Sequence, residues 1–166
     1  MNFRRILALV FIVAGALLCG AVALHLIRGF EGQAAGRRAL AQRPAASRLS
    51  SEEPRKTPYP LGQPIARLRI PSARIDVIVF GGSEPDILEK GPGHVQGTEL
   101  PGRRSGLNNC VITAHRDSHF RNLGWLRKGQ RIELETTEGG ESYRVASSEI
   151  VDPNAVRVLM PTLTRR

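Results

Sequence analysis

The residues best suited to chemistry lie between Asn109 and Trp125, in the run Asn-Cys-Val-Ile-Thr-Ala-His-Arg-Asp-Ser-His-Phe-Arg-Asn-Leu-Gly-Trp. Cys110 to Ala114 is a short apolar stretch, enough for one buried strand. It breaks into a polar cluster of His115, Arg116, Asp117 and His119. An imidazole at the exit of a buried strand stands on rigid scaffold with its tip free to enter a cleft, which suits a general acid or base. The same arrangement also marks the plain end of a barrel strand. His115 is therefore the leading candidate for proton transfer, with Arg116, Asp117 and His94 as candidates for lining a cleft. His94 sits in the loop Gly91-Pro-Gly-His-Val-Gln-Gly97, where stabilising a turn is the commoner job.

Three sharper chemistries are weaker than they look. His119 follows His115 by four residues, a metal-binding spacing on a helix, but no third ligand is patterned nearby; a solvated loop histidine is expected and no metal or cofactor. Cys110 as a nucleophile for His115 runs against strand geometry. Cys110, Ile112 and Ala114 share one face of a regular strand, while Val111, Thr113 and His115 share the other. Short of a bulge, Cys110 packs away from the imidazole. His115-Arg116-Asp117 followed by Asn122 matches the protein-kinase spacing H-R-D-x4-N, but no D-F-G follows and no glycine-rich ATP loop precedes it. That match is coincidental.

The elements that must position His115 are short. Ile65–Ile70 alternates apolar and polar residues as a half-buried strand does, and Arg74–Phe80 predicts a second strand closed by Gly81-Gly82. Pro85–Lys90 suits one helical turn, and Thr98–Gly106 reads as loop. Phe120–Leu126 suits a short helix with Phe120, Leu123 and Trp125 inward. Arg131–Thr136 and Ser142–Ala146 predict a hairpin around Glu138-Gly139-Gly140, and Glu149–Asp152 a further strand. Short strands at close spacing with glycine and proline turns predict an all-β barrel or sandwich.

The N-terminal part is different in kind. Ile6–Ile27 is 22 residues without a formal charge, long enough to cross a bilayer as one helix. A cleaved signal peptide is the alternative, with Arg4 and Arg5 before the apolar run and Ala21-Val22-Ala23 as a cleavage-like site; the run continues past that site, which favours an uncleaved anchor. Orientation stays open on charge, because Arg28, Arg37 and Arg38 beyond the span oppose Arg4 and Arg5. Residues 29–64 read as a Pro/Ala/Arg-rich linker, with a helical start near Gln33–Gln42. The expected organisation is an anchor at 1–28, a linker at 29–64 and a folded domain at 65–166.

Of the net charge of +9, residues 1–58 carry +6 and residues 59–166 carry +3. A basic excess beside an apolar segment suits an anionic membrane surface better than a nucleic-acid groove, and no nucleic-acid partner is expected. Cys19 lies in the apolar segment and Cys110 in the strand, so no disulfide framework is indicated.

Taken in order, these pieces resemble sortases, the membrane-anchored cysteine transpeptidases, and among them the class D type. The similar stretches are Ile70-Pro-Ser-Ala-Arg-Ile-Asp76, Glu89-Lys-Gly-Pro-Gly-His-Val-Gln-Gly-Thr98, Leu100-Pro-Gly102 and Asn109-Cys-Val-Ile-Thr-Ala-His-Arg-Asp117. Phe120-Arg121, Leu134-Glu-Thr136, Tyr143-Arg-Val145 and Val151-Asp-Pro153 through Val158-Leu159 complete the set. The resemblance implies an eight-stranded β-barrel outside the cytoplasmic membrane, on a single-pass N-terminal anchor. It implies acyl transfer on an LPXTG-like sorting signal of a substrate protein, with an amine acceptor. A cysteine thiolate attacks the Thr–Gly bond, a histidine protonates the leaving amine and an arginine steadies the oxyanion. The matching histidine is His115.

The resemblance breaks where the nucleophile belongs. The family places its cysteine strand shortly after a Val-Leu-x-Pro-Thr segment and its arginine on the last strand; here Pro161-Thr162 is followed only by Leu163-Thr164-Arg165-Arg166. The expectation is a sortase-type barrel truncated before its active-site strands and inactive as written. The alternative is a non-catalytic pseudo-enzyme or peptide-binding module tethered to the membrane. A third reading is an unrelated membrane-tethered β-domain. A T-L-x-T-C-encoding stretch in the DNA downstream of Arg166 discriminates the first two.

Overall fold

The computed structural model describes residues 3–42, 59–101 and 109–161. Among them a six-stranded mixed sheet curls into a half-barrel, in the order β4-β3-β2-β1-β5-β6. The strands are β1 (Pro64–Ile70), β2 (Ile75–Gly81), β3 (Gly93–His94), β4 (Ile112–Thr113), β5 (Arg131–Thr136) and β6 (Gly139–Arg144). Helix α1 runs from Phe3 to Gln42, and α2 is a single turn at Pro85–Leu88. The barrel expectation holds in part: the sheet closes only to a half-barrel with the expected N-terminal apolar helix, and it is mixed rather than purely all-β, since β2 and β3 pair in parallel through the segment that holds α2.

β1 is central, flanked by β2 and β5, both antiparallel. Its pairing with β2 shifts between Pro64 and Ala66, and this bulge breaks the expected alternation so that Ile65 and Ala66 are both buried. Pro71–Ala73 forms a 3-10 turn, and Arg74 closes it at φ 54°, letting Ile70 and Ile75 pair directly. The main core gathers Ile65, Leu68, Ile70, Ile75, Val79 and Leu134 with Leu126 and Val145. β2 is apolar almost throughout because it is covered on both faces: Ile75 and Val79 join that core, while Ile78 and Phe80 face the other way with Ile87 and Leu40 of α1.

Residues 29–42, where composition suggested the start of a linker, continue α1 without a break. The sheet sets this. Gly36 is buried against Ile78 and Phe80, and a Cβ there would come within 3.0 Å of both side chains. At Gly32 a Cβ would sit 2.8 Å from that of Lys90. Glycine at these positions lets the helix lie directly on β2 and the turn after α2.

Two further expectations change. Leu123 and Trp125 are exposed, at 38% and 59%, because the segment forms only a 3-10 turn over Leu123–Trp125; Leu126 points inward instead, and Phe120 packs on the core. No strand forms over Glu149–Asp152, and Ile150 is fully exposed. The predicted hairpin forms with a two-residue turn at Thr137-Glu138, Thr136 pairing with Gly139.

Candidate active site

The strand expected over Cys110–Ala114 narrows to Ile112–Thr113, and local hydrogen bonding explains why. β3 pairs with β4 only through Gly93 with Thr113 and His94 with Ile112. Beyond His94 the chain turns, and the Val111 N–H donates to Thr98 Oγ1 at 3.2 Å instead of a ladder carbonyl. Val95 N–H to the Val111 carbonyl, and Glu99 N–H to that of Asn109, hold the rest of the approach.

His94 is the organiser of that turn. It is 5% exposed, and its Nε2 lies 2.7 Å from the Glu99 carbonyl and 3.2 Å from Thr98 Oγ1. Burial lowers its pKa, and the bond to Glu99 partly opposes that. The cleft-lining expectation for His94 gives way to a buried structural histidine outside the cavity that holds His115.

β4 delivers His115 to the surface, where the imidazole is exposed. The His115 carbonyl accepts from the Phe120 N–H at 3.1 Å, folding residues 115–120 into a compact loop. Asn122 ties the loop's far end to the turn between β1 and β2 by donating from Nδ2 to the Ala73 carbonyl. His115 lines a cavity of about 520 Å³ with Ser118, His119 and Arg121 on one wall and His25, Phe30 and Gln33 of α1 on the other. Arg116 and Asp117, expected at the cleft, are exposed and are not among the residues lining this cavity, which Ser118 and Arg121 line. His119 is half-buried rather than solvated, its pKa lowered by burial and then by His115 and His25.

The far wall of the cavity is one that sequence reasoning missed. β3 reaches only Phe80 and Gly81 of β2, so the peptide edge of Ile78 has no strand beside it. Gln33 fills that place. Its Nε2 donates to the carbonyls of Ile78 and Lys90, each at 3.1 Å, and its Oε1 accepts from the Ile78 N–H at 2.7 Å. Arg37 and Arg67 converge on Asp76, with Arg67 Nε at 2.8 Å and Nη2 at 2.7 Å from its two oxygens. The Arg67 bonds hold the Asp76 carboxyl below its usual range, against the opposing effect of burial.

Cys110 does not complete a catalytic pair. It lies outside the residues lining the His115 cavity, and although its surface is largely exposed, desolvation and then the Glu99 carboxylate push its thiol up to about 11. A thiol so raised is almost wholly protonated near neutrality and a poor nucleophile. Among the described residues no group of three or more His, Cys, Asp or Glu is arranged to hold a metal ion.

The curled sheet is an arrangement that known proteins share with this one. The sortase domain model matches residues 68–166, and the chain belongs to the sortase family. It is 31% identical over 98 residues to Sortase D of Bacillus subtilis, covering 59% of this chain and 48% of that protein. The chain therefore spans about half the length of that curated relative. Among solved structures it resembles a Sortase D5 transpeptidase of Clostridium perfringens, with TM-score 0.65, 23% identity and 82% of each chain covered. It also resembles Sortase C1 of Streptococcus agalactiae, with TM-score 0.58, 26% identity, and 85% of this chain and 77% of the other covered.

Proposed function

We propose that this chain carries the proton-transfer half of a sortase-type acyl-transfer site, acting on LPXTG-like sorting signals. The observation that carries the reading is His115, exposed at the exit of β4 beside a cavity of about 520 Å³, on a family-matched scaffold. In the family reaction a thiolate adds to the threonine carbonyl carbon and the Thr–Gly C–N bond breaks. His115 gives its proton to the departing amine. An incoming amine then attacks the thioester, yields a proton to His115 and releases the thiolate.

Neither thiol among the 166 residues fits the nucleophile's part: Cys19 lies within the apolar run and Cys110 is raised to about 11. The chain as written is proposed to bind without turning over. α1 has the length and composition to cross a membrane, and we read it as a single-pass anchor holding the C-terminal domain on the extracytoplasmic side.

The test is to titrate the chain in detergent or nanodiscs with an LPXTG peptide and a scrambled control while following the His115 ring signals by NMR. Only the sorting-signal peptide is expected to move them, with no cleavage product formed. No perturbation overturns the site. Turnover that survives Cys110→Ala and vanishes with His115→Ala overturns the account of the missing nucleophile.

A further inference from the structure

The loop that carries His115 lies against the last turns of the apolar run. Ile6–Ile27 spans about 33 Å as a helix, about one hydrocarbon thickness. The cavity of His115, Ser118, His119 and Arg121 is closed on its other side by His25, Leu26, Gly29 and Phe30, where that run ends. Arg28 meets Glu89 at 3.6 Å, so the turn after α2 sits at the same level. α1 continues unbroken from the apolar run into its seat on β2, and Gln33 fixes the two together. No flexible spacer separates this face from the end of the run.

The charge on this rim suits a bilayer surface. On the loop itself Arg116 and Arg121 outnumber Asp117, Arg28 nearby is paired with Glu89, and neither Arg116 nor Arg121 is held in an ion pair among the described residues. We propose that the loop 115–121 rests on the membrane at headgroup level, with Arg116 and Arg121 contacting anionic lipid headgroups, so that the His115 cavity opens at the bilayer surface. This rests on the reading of α1 as a membrane span.

The full chain with Cys19→Ala and Cys110→Ala is labelled with an environment-sensitive fluorophore at one of three introduced cysteines. Asp117→Cys reports the loop. Gly15→Cys, where a Cβ meets nothing within 4 Å, reports the span, and Ala41→Cys lies about 21 Å beyond Ile27 on the same helix. Each is placed in vesicles of phosphatidylcholine, with or without phosphatidylglycerol, containing nitroxide lipids at shallow or deep positions. The expected result is deep quenching at 15, shallow quenching at 117 and little at 41, with quenching at 117 stronger in the anionic vesicles. Each guanidinium at an anionic surface favours contact about five-fold, so Arg116→Gln with Arg121→Gln brings the anionic result down to the neutral one. Gln33→Ala weakens quenching at 117 and leaves that at 15 unchanged. Quenching at 15 with none at 117 beyond that at 41, or no dependence on anionic lipid, overturns the proposal alone. Loss of quenching at 15 overturns the membrane span and the proposal with it.

Discussion

His94 and Gln33 show how single side chains hold the site without touching its chemistry. Burial of neutral His94 lowers its pKa, so the unfolded chain binds a proton more readily than the folded one below the ordinary histidine value of about 6.5. The stability it contributes is complete above that value and is lost as pH falls through the lowered folded value; half-buried His119 acts in the same direction. We expect denaturant midpoints to fall between about pH 7 and about pH 5 and His94→Gln to flatten that slope, since glutamine does not titrate there. His115 was legible because its residue type and the apolar run before it announce a strand exit. Gln33 was not. A glutamine in an Ala- and Arg-rich helix looks like a solvated face, and its partners Ile78 and Lys90 lie far along the chain.

At the scale of elements, the docking of α1 on β2 decides the shape of the cavity. Gln33→Ala leaves the Ile78 N–H and carbonyl without their partner and is expected to cost about 1–3 kcal/mol. Gly36→Leu forces a side chain between α1 and Phe80 and costs a similar amount, about 1–3 kcal/mol, by overpacking. Chemical denaturation checks both, and each is expected to leave the β5–β6 hairpin intact by NMR. Strands β1, β2, β5 and β6 were readable because alternation and turn residues are local signals. β4 was overestimated because Thr98, a residue in another segment, takes the Val111 N–H. The helical course of 33–42 was legible from its Ala and Arg content, but its unbroken joining to the apolar run was not, because Gly29, Gly32 and Gly36, which suggest a linker in isolation, are contact points.

For the molecule as a whole, order is concentrated around β1 and β2. The core residues of the sheet meet there, while Val156, Met160 and Ile150 beyond β6 are 66%, 62% and 102% exposed. Hydrogen exchange is expected to be slowest for the amides of β1 and β2 and orders of magnitude faster over residues 146–160, where few backbone bonds and little burial resist opening. Uniform protection across the chain would contradict that distribution. The position of β1 has a further effect during synthesis. One of its sides pairs with β2 at once through a four-residue turn, but the other must await β5, with Ala66 meeting Thr136. A growing chain therefore holds a half-satisfied strand until β5 has been made. Completion of the sheet is thus expected to wait on the arrival of its fifth strand, a non-local pairing of the kind that slows folding.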